Sequence, residues 1–160
     1  MGGWPEEVER VAAVLLAAGV EARIEELPGG TPTVEAAAKA LGCSRGEIVK
    51  SLVLICDGAA VLALVPGDRR ANLLAVAAAV EAESARLATP EEVVEATGFE
   101  AGGVPPFPQK AVSETLMDSS LFALPRIWAG AGTATHMLAL TPPDLQRLSR
   151  ARPVVLGSGR

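Results

Sequence analysis

The chain has 160 residues, of which 49% are hydrophobic, 21% charged and only 3% aromatic, and its formal net charge is −5. This length and composition predict one domain over residues 1–160, with a core built mainly from Ala, Val and Leu. No apolar run approaches the ~20 residues of a membrane span, and the first residues are acidic rather than basic as in a signal peptide. We therefore expect a cytoplasmic protein with no membrane association. The negative charge counts against binding long duplex nucleic acid, although a local pocket could still hold a single nucleic-acid end.

Metal and disulfide chemistry are disfavoured by the residue counts. Cys43 and Cys56 are the only cysteines, and His136 is the only histidine. Two thiols make neither a disulfide framework nor a four-cysteine site, and a lone His has no second imidazole for zinc. We expect two reduced thiols, with Cys56 in a core strand, and no metal or other cofactor.

The first half of the chain shows clear helix and hairpin signals. Apolar spacing, glycine stops and a capping box place the helices, and an Asp-Gly pair between apolar runs predicts a hairpin. The predicted elements are a helix over 6–18, a strand over 22–27, a turn at 28–30, a helix over 34–41 after Thr33, a helical turn from Ser44 to Glu47, strands over 49–56 and 60–65 joined at Asp57-Gly58, and a helix over 71–79.

The second half is more irregular. Thr89-Pro90 with Glu92 predicts a helix that ends at Gly98, and Thr141-Pro142 predicts a last helix. Short strands are predicted over 126–129, 136–140 and 153–156, and 102–108 cannot be regular structure. Helices and strands mix without strict alternation, which predicts an α+β or mixed α/β domain around one sheet rather than a doubly wound fold.

Lys50 is the first residue with chemical interest, because it lies at the head of the apolar strand Ile48-Val49-Lys50-Ser51-Leu52. A strand-edge Lys that reaches out to water explains this position without any function. That is the explanation that an arbitrary sequence favours, and the alternative is an ammonium aimed into a cleft, where it meets a phosphate or a carboxylate. The position alone leaves both interpretations open.

Two glycine-containing segments follow. Gly102-Gly103-Val104-Pro105-Pro106-Phe107-Pro108 combines two flexible residues with three stiff ones, so it is either a surface connection or a shaped loop whose free Gly N–H donates to an oxyanion. Gly130-Ala131-Gly132-Thr133 lacks the spacing and Lys of a P-loop. His136 and Asp118 are equally compatible with structural roles, and no serine nucleophile elbow is present. The chain thus offers one ammonium and backbone donors but few acid–base groups.

The order of these motifs resembles the YbaK/ProX family of aminoacyl-tRNA deacylases, whose fold also forms the editing domain of bacterial prolyl-tRNA synthetases. The matching segments span roughly residues 8–150: Thr33-Val34-Glu35-Ala36-Ala37, Ile48-Val49-Lys50-Ser51-Leu52, Thr97-Gly98-Phe99, Gly102-Gly103-Val104-Pro105-Pro106-Phe107, Met117-Asp118, Gly130-Ala131-Gly132 and Asp144-Leu145.

The resemblance implies a compact mixed α/β domain with a curved mixed sheet flanked by helices. It implies hydrolysis of the ester between a noncognate small amino acid and the tRNA 3′ end, with a tRNA for proline as the expected substrate, without a metal. In the family the Lys matching Lys50 is essential and lies near the terminal nucleotide, and the loop matching Gly102-Gly103 contacts the scissile carbonyl while water attacks. We therefore assign Lys50 and Gly103 as catalytic and expect substrate contacts from Thr33, Ser51, Gly102, Val104, Pro105, Phe107, Asp118, Gly130, Gly132 and His136.

Departures from the family pattern affect substrate choice. Some members follow the glycine loop with Ser-Pro and a Gly-Gln-Lys-Lys run, where this chain has Pro105-Pro106-Phe107-Pro108-Gln109-Lys110. The stiff loop and Phe107 predict a small pocket that accepts alanine and rejects proline. The expected protein partner is prolyl-tRNA synthetase or an elongation factor. Two alternatives remain: a module that binds an aminoacyl or nucleotide end without turnover, and a structural or regulatory partner of a synthetase.

Overall fold

The computed structural model describes residues 3–27 and 33–158, so the turn predicted at 28–30 lies outside the described residues. Within these residues, five α-helices and ten short strands alternate irregularly. The helices are α1 (Glu6–Ala18), α2 (Val34–Leu41), α3 (Leu73–Ala79), α4 (Pro90–Thr97) and α5 (Pro142–Ser149). The strands are β1 (Arg23–Glu26), β2 (Val49–Cys56), β3 (Ala59–Pro66), β4 (Arg70–Ala71), β5 (Ala85–Leu87), β6 (Glu114–Asp118), β7 (Ile127–Gly130), β8 (His136–Leu140), β9 (Arg152–Val154) and β10 (Gly157–Ser158).

The predicted mixed α/β class is confirmed, but the strands of the described residues form three sheets instead of one. A five-stranded sheet has the order β5-β2-β3-β6-β9, a three-stranded sheet has the order β1-β8-β7, and β4 pairs with β10. In the larger sheet β2 and β3 form an antiparallel hairpin, whereas β6 pairs in parallel with β3 and with β9. A single parallel bridge between Ile48 and Trp128 connects the two larger sheets. The part of the chain that the structure describes contains no helix long and apolar enough to cross a membrane.

Local capping explains why most helices begin and end where the sequence predicts. Thr33 accepts a hydrogen bond from Ala36 N–H at the start of α2, and Thr89 forms a capping box with Glu92 at the start of α4. The predicted start of α3 at residue 71 is wrong by two residues. Asn72 caps that helix by accepting from the next N–H groups, which leaves Arg70 and Ala71 free to pair with β10.

Two faces of the five-stranded sheet carry different clusters of buried side chains. Because side chains alternate along a strand, Val49, Ser51 and Val53 of β2 face one side and Leu52 and Leu54 face the other. The first side holds the main core, which includes Leu62, Leu64, Phe99, Val104, Phe107 and Met117. The second side packs against α3 through Leu54, Val61, Ala63, Val65 and Val76. The loop 102–108 therefore lies on the same side of the sheet as Ser51.

Candidate functional site

Lys50 is half-buried near the start of β2, and its ammonium Nζ donates to the backbone carbonyl of Arg69 at 2.5 Å. Within the described residues it forms no ion pair with a carboxylate. Burial lowers the pKa of Lys50 from its ordinary 10.5, the charge of Asp68 opposes this shift, and the charge of Arg70 adds to it. The ammonium is thus hydrogen-bonded to a carbonyl but forms no salt bridge, so its charge can still attract an anionic or carbonyl ligand.

Ser51 points to the opposite face of β2 and carries an unsatisfied hydroxyl. Its Oγ is buried, and among the described residues it has no hydrogen-bond partner. A buried hydroxyl without a partner costs about 1–3 kcal/mol, and such an atom often marks a place where a ligand or an ordered water completes the bonding. Ser51 is therefore the expected site residue with the clearest unfilled bonding capacity.

The two loop glycines differ in what surrounds them. Gly102 has φ +93°, and a Cβ added to it would meet open space. Gly103 is buried, and a Cβ there would lie 2.8 Å from the Thr133 backbone. The sequence predicts a free Gly N–H in this loop, and Gly103 does not supply it, because its N–H donates to the carbonyl of Glu100 at 3.0 Å. Of the pair, Gly102 is the residue that leaves room for a ligand, whereas Gly103 is required for loop-on-loop packing.

The same close packing explains the glycines at the end of β7. A Cβ at Gly130 would lie 2.8 Å from the carbonyl oxygen of Val104, and one at Gly132 would lie 2.8 Å from that of Glu7. The segment 130–133 is thus pressed between the loop 102–108 and the first turn of α1. We call these three segments, residues 6–10, 102–108 and 130–136, the glycine-packed region.

His136 is fixed inside this region. It is 5% exposed, its Nδ1 lies 2.6 Å from Thr133 Oγ1 and 3.2 Å from Thr135 Oγ1, and its ring meets that of Trp4 edge-on at 5.4 Å. Through these contacts His136 stabilises the 130–136 segment and packs it against Trp4.

The remaining expected residues have mixed placements. Phe107 is 2% exposed and packs in the main core, so it does not line an open pocket. Gln109 donates to the Pro105 carbonyl at 2.8 Å, which fixes the loop behind it. Asp118 is buried at the end of β6 and accepts from Ser120 N–H. Thr33 is exposed and caps α2.

The thiols and the other polar groups add no reactive centre to this arrangement. Both cysteines are free, as expected, and burial raises the pKa of each thiol, with the nearby carboxylate of Glu47 adding to the effect at Cys43 and that of Asp57 at Cys56. Among residues 3–27 and 33–158, no group of three or more His, Cys, Asp or Glu side chains is arranged to hold a metal ion.

Two surface grooves lie away from the expected site residues. One of about 1100 Å³ runs between α1, β1 and the start of α5, and one of about 560 Å³ lies beside the Asp57-Gly58 turn. The expected site residues line neither groove. The structure therefore brings Gly103, Val104, Gly130, Gly132 and His136 together, while the hydrogen bond of Lys50 connects it to a different neighbourhood, the turn that follows β3.

Sequence reasoning missed two residues that matter to these neighbourhoods. Arg10 of α1 donates to the carbonyl of Gly98 at 3.0 Å and stacks over the Phe99 ring at 4.2 Å, which anchors the segment leading into the glycine loop. Arg69 was not singled out, although the hairpin register places Val65 opposite Lys50 and so brings the following turn close to it. Counting from the Asp57-Gly58 turn could have found this proximity.

Comparison with known proteins identifies the class. Residues 29–148 match the model of the aminoacyl-tRNA editing domain, the YbaK family, and the chain belongs to that family. It is 32% identical to the uncharacterised protein YwhH of Bacillus subtilis over 79% of this chain and 80% of that protein. It is 36% identical to the proline–tRNA ligase of Bacillus licheniformis over 74% of this chain but only 22% of the ligase.

Solved structures of similar fold support the same family assignment. A structure described as a candidate trans-editing enzyme for prolyl tRNA synthetase superposes with a TM-score of 0.91 at 37% identity, covering 98% of this chain and 100% of that one. The hypothetical protein APE2540 superposes with a TM-score of 0.86 at 30% identity, covering 93% and 99%. The chain is thus an aminoacyl-tRNA editing domain related to the editing domain of prolyl-tRNA synthetases.

Proposed function

We propose that this chain, acting as one editing module over its 160 residues, is a trans-acting deacylase. It hydrolyses the ester of a noncognate small amino acid on a tRNA, with a tRNA for proline as the expected substrate. Water adds to the ester carbonyl, the acyl–oxygen bond breaks, and the products are the free amino acid and the tRNA 3′ hydroxyl. The activity belongs in the cytoplasm, alongside prolyl-tRNA synthetase or an elongation factor.

The observation that carries this proposal is Lys50, whose ammonium is hydrogen-bonded to a backbone carbonyl and, within the described residues, forms no ion pair with a carboxylate. A cation of this kind suits the negatively charged end of a tRNA. The Ser51 hydroxyl, on the opposite face of β2, adds a second polar group with spare bonding capacity.

The glycine loop supports the proposal through shape. Gly102 faces open space, so the terminal ester can approach the backbone closely there. Val104, Pro105, Pro106 and Phe107 behind it are all buried, so the loop cannot easily retreat to admit a larger group. Because Phe107 is buried in the core, it does not line the pocket itself. We propose that it limits the pocket indirectly, by stiffening the loop.

Substrate choice follows from that stiffness. We expect fast removal of alanine and slow removal of proline, because a rigid wall excludes the larger ring by steric overlap. Discrimination between alanine, serine and 2-aminobutyrate should be weaker, since one methylene group is worth only about 1–3 kcal/mol.

The test is a rate comparison on one tRNA charged in turn with alanine, serine, cysteine, threonine and proline. The proposal expects release of alanine well above the spontaneous rate and little release of proline. Fast hydrolysis of the prolyl ester would contradict an editing role. Tight binding of all five with no release would instead identify a binding module, and neither binding nor release would favour a synthetase partner.

A further inference from the structure

Two arginines follow β3 close to Lys50: Arg69 ends the turn after that strand, and Arg70 is the first residue of β4. The carbonyl of Arg69 accepts the hydrogen bond from Lys50 Nζ, and the charge of Arg70 is close enough to disfavour the protonated form of Lys50. Both arginine side chains are exposed. The three cations therefore share one edge of the molecule, which we call the basic edge: Lys50, Arg69 and Arg70.

The turn that leads to these arginines is held in place by its backbone. Gly67 N–H donates to the carbonyl of Ile48 at 2.6 Å. A Cβ at Gly67 would lie 2.6 Å from the Arg45 carbonyl and 2.6 Å from Val34 Cγ1, so only glycine fits there. Arg69 and Arg70 thus extend from a fixed support next to β2.

The arginines of the basic edge differ from the paired arginines of the chain. Ion pairs within the described residues involve Arg23, Arg86, Arg147 and Arg152. Arg69 and Arg70 form none of them, although Asp68 lies between Gly67 and Arg69. Within the described residues, Arg69 and Arg70 therefore place two cations without an ion pair next to Lys50, in a chain whose net charge is −5.

We propose that Arg69 and Arg70 bind backbone phosphates of the single-stranded 3′ end of RNA and so deliver its last nucleotide to Lys50. The inference rests on the proposed function, since it names the contacts that hold the same substrate. Guanidinium groups suit this task because their planar donors match phosphate oxygens in pairs. An acidic protein partner would require a wider contact surface than two neighbouring side chains.

The experiment uses a fluorescently labelled tRNA that ends in CCA and carries no amino acid. Its binding is measured by fluorescence anisotropy over a range of salt concentrations. The proteins are the wild type, R69Q/R70Q, R69K/R70K, and R147Q/R150Q as a matched loss of two exposed cations elsewhere. The R69Q/R70Q change leaves the Arg69 carbonyl in place, so the hydrogen bond of Lys50 survives. Circular dichroism checks the fold of each variant.

R69Q/R70Q should weaken binding by roughly 10- to 30-fold at about 0.1 M salt and lower the slope of log K against log salt by about 1.4, which is about 0.7 for each of two single-strand contacts. R69K/R70K should keep most of the slope, and R147Q/R150Q should bind like the wild type. Equal affinity and slope in R69Q/R70Q and the wild type would overturn the inference. So would equal losses in both glutamine variants, or no tRNA binding by the wild type. Because this tRNA carries no amino acid, its binding does not depend on deacylation. Failure of the deacylase assay therefore leaves this test unaffected.

Discussion

The basic edge and the glycine-packed region contain most of the residues that the sequence marked as functional. They differ in what fixes their residues, which is exposed charge in the first and close backbone packing in the second. Lys50, Arg69 and Arg70 are partly or fully exposed, and their charged ends are not needed to fill the core. In the glycine-packed region, Gly103 and Gly130 are set by backbone contacts of 2.8 Å. The two regions therefore contain two kinds of residue, exposed cations and closely packed glycines, and mutations can separate their effects.

The largest effect is expected at Lys50. Lys50→Ala should reduce deacylation to near the spontaneous rate, on the order of 10³-fold, because a preorganised charge is lost from the substrate site. The free energy of unfolding should change little, since the apolar side chains of β2 remain. Deacylation kinetics and urea unfolding measure the two quantities, and Lys39→Ala on the exposed face of α2 is the control. Full activity with an intact fold would remove Lys50 from the mechanism.

The next comparison is Gly103→Ala against Gly102→Ala. Gly103→Ala should lower stability by about 1–3 kcal/mol, because its Cβ overlaps the Thr133 backbone, and should cut single-turnover rate by roughly 10²–10³ as the loop shifts. Gly102→Ala should cost about 1 kcal/mol through its φ of +93° alone. Urea unfolding and single-turnover assays separate the two. A Gly103→Ala protein as stable as the wild type would show that the close contact relaxes without cost.

His136 tests whether the glycine-packed region acts as structure. His136→Ala and Thr133→Val should each destabilise the fold by about 1–3 kcal/mol, because each removes one partner of a buried hydrogen bond. Their effects should be less than additive in the double variant, since both remove the same bond. Loss of activity in His136→Ala at full stability, with Thr133→Val unaffected, would instead give His136 a direct role.

A smaller effect concerns pH. Burial lowers the pKa of Lys50, so the ammonium should be lost, and enzyme-dependent deacylation should decline, at a pH below its ordinary 10.5. For stability the sign is opposite. At a pH below the pKa of Lys50 in the folded protein, both the folded and the unfolded protein carry the proton, and burial of the charge disfavours folding. Between that pKa and the ordinary pKa, the unfolded protein binds more protons than the folded one. The free energy of unfolding therefore rises with pH in this range. Lys50→Arg should shift the decline to higher pH once the spontaneous rate is subtracted.

The smallest expected effect is that of a chelator. Activity should persist in EDTA, since Cys43, Cys56 and His136 do not form a ligand set and water is the proposed nucleophile. The control is a parallel measurement of tRNA folding in the same buffer. A loss of rate that zinc restores would require a metal in the reaction.

Short-range signals in the sequence determined most of the secondary structure. Helices α1 and α2, strand β2 and the Asp57-Gly58 hairpin lie where capping residues, apolar periodicity and turn chemistry predict them, because these effects act over only a few residues. The family resemblance likewise depended on ordered short motifs, and the family match over residues 29–148 confirms it.

The tertiary structure decided what those signals could not. Strand β6 carries no hairpin signal, because it pairs in parallel with β3 and β9, which are distant in the chain. The bonding of Gly103 N–H, the burial of Phe107 and the contact of His136 with Trp4 depend on how loops meet in space. Residue type fixes what a side chain can do, but the packing of distant segments decides whether it stays accessible or is buried in the fold, as the ring of Phe107 is.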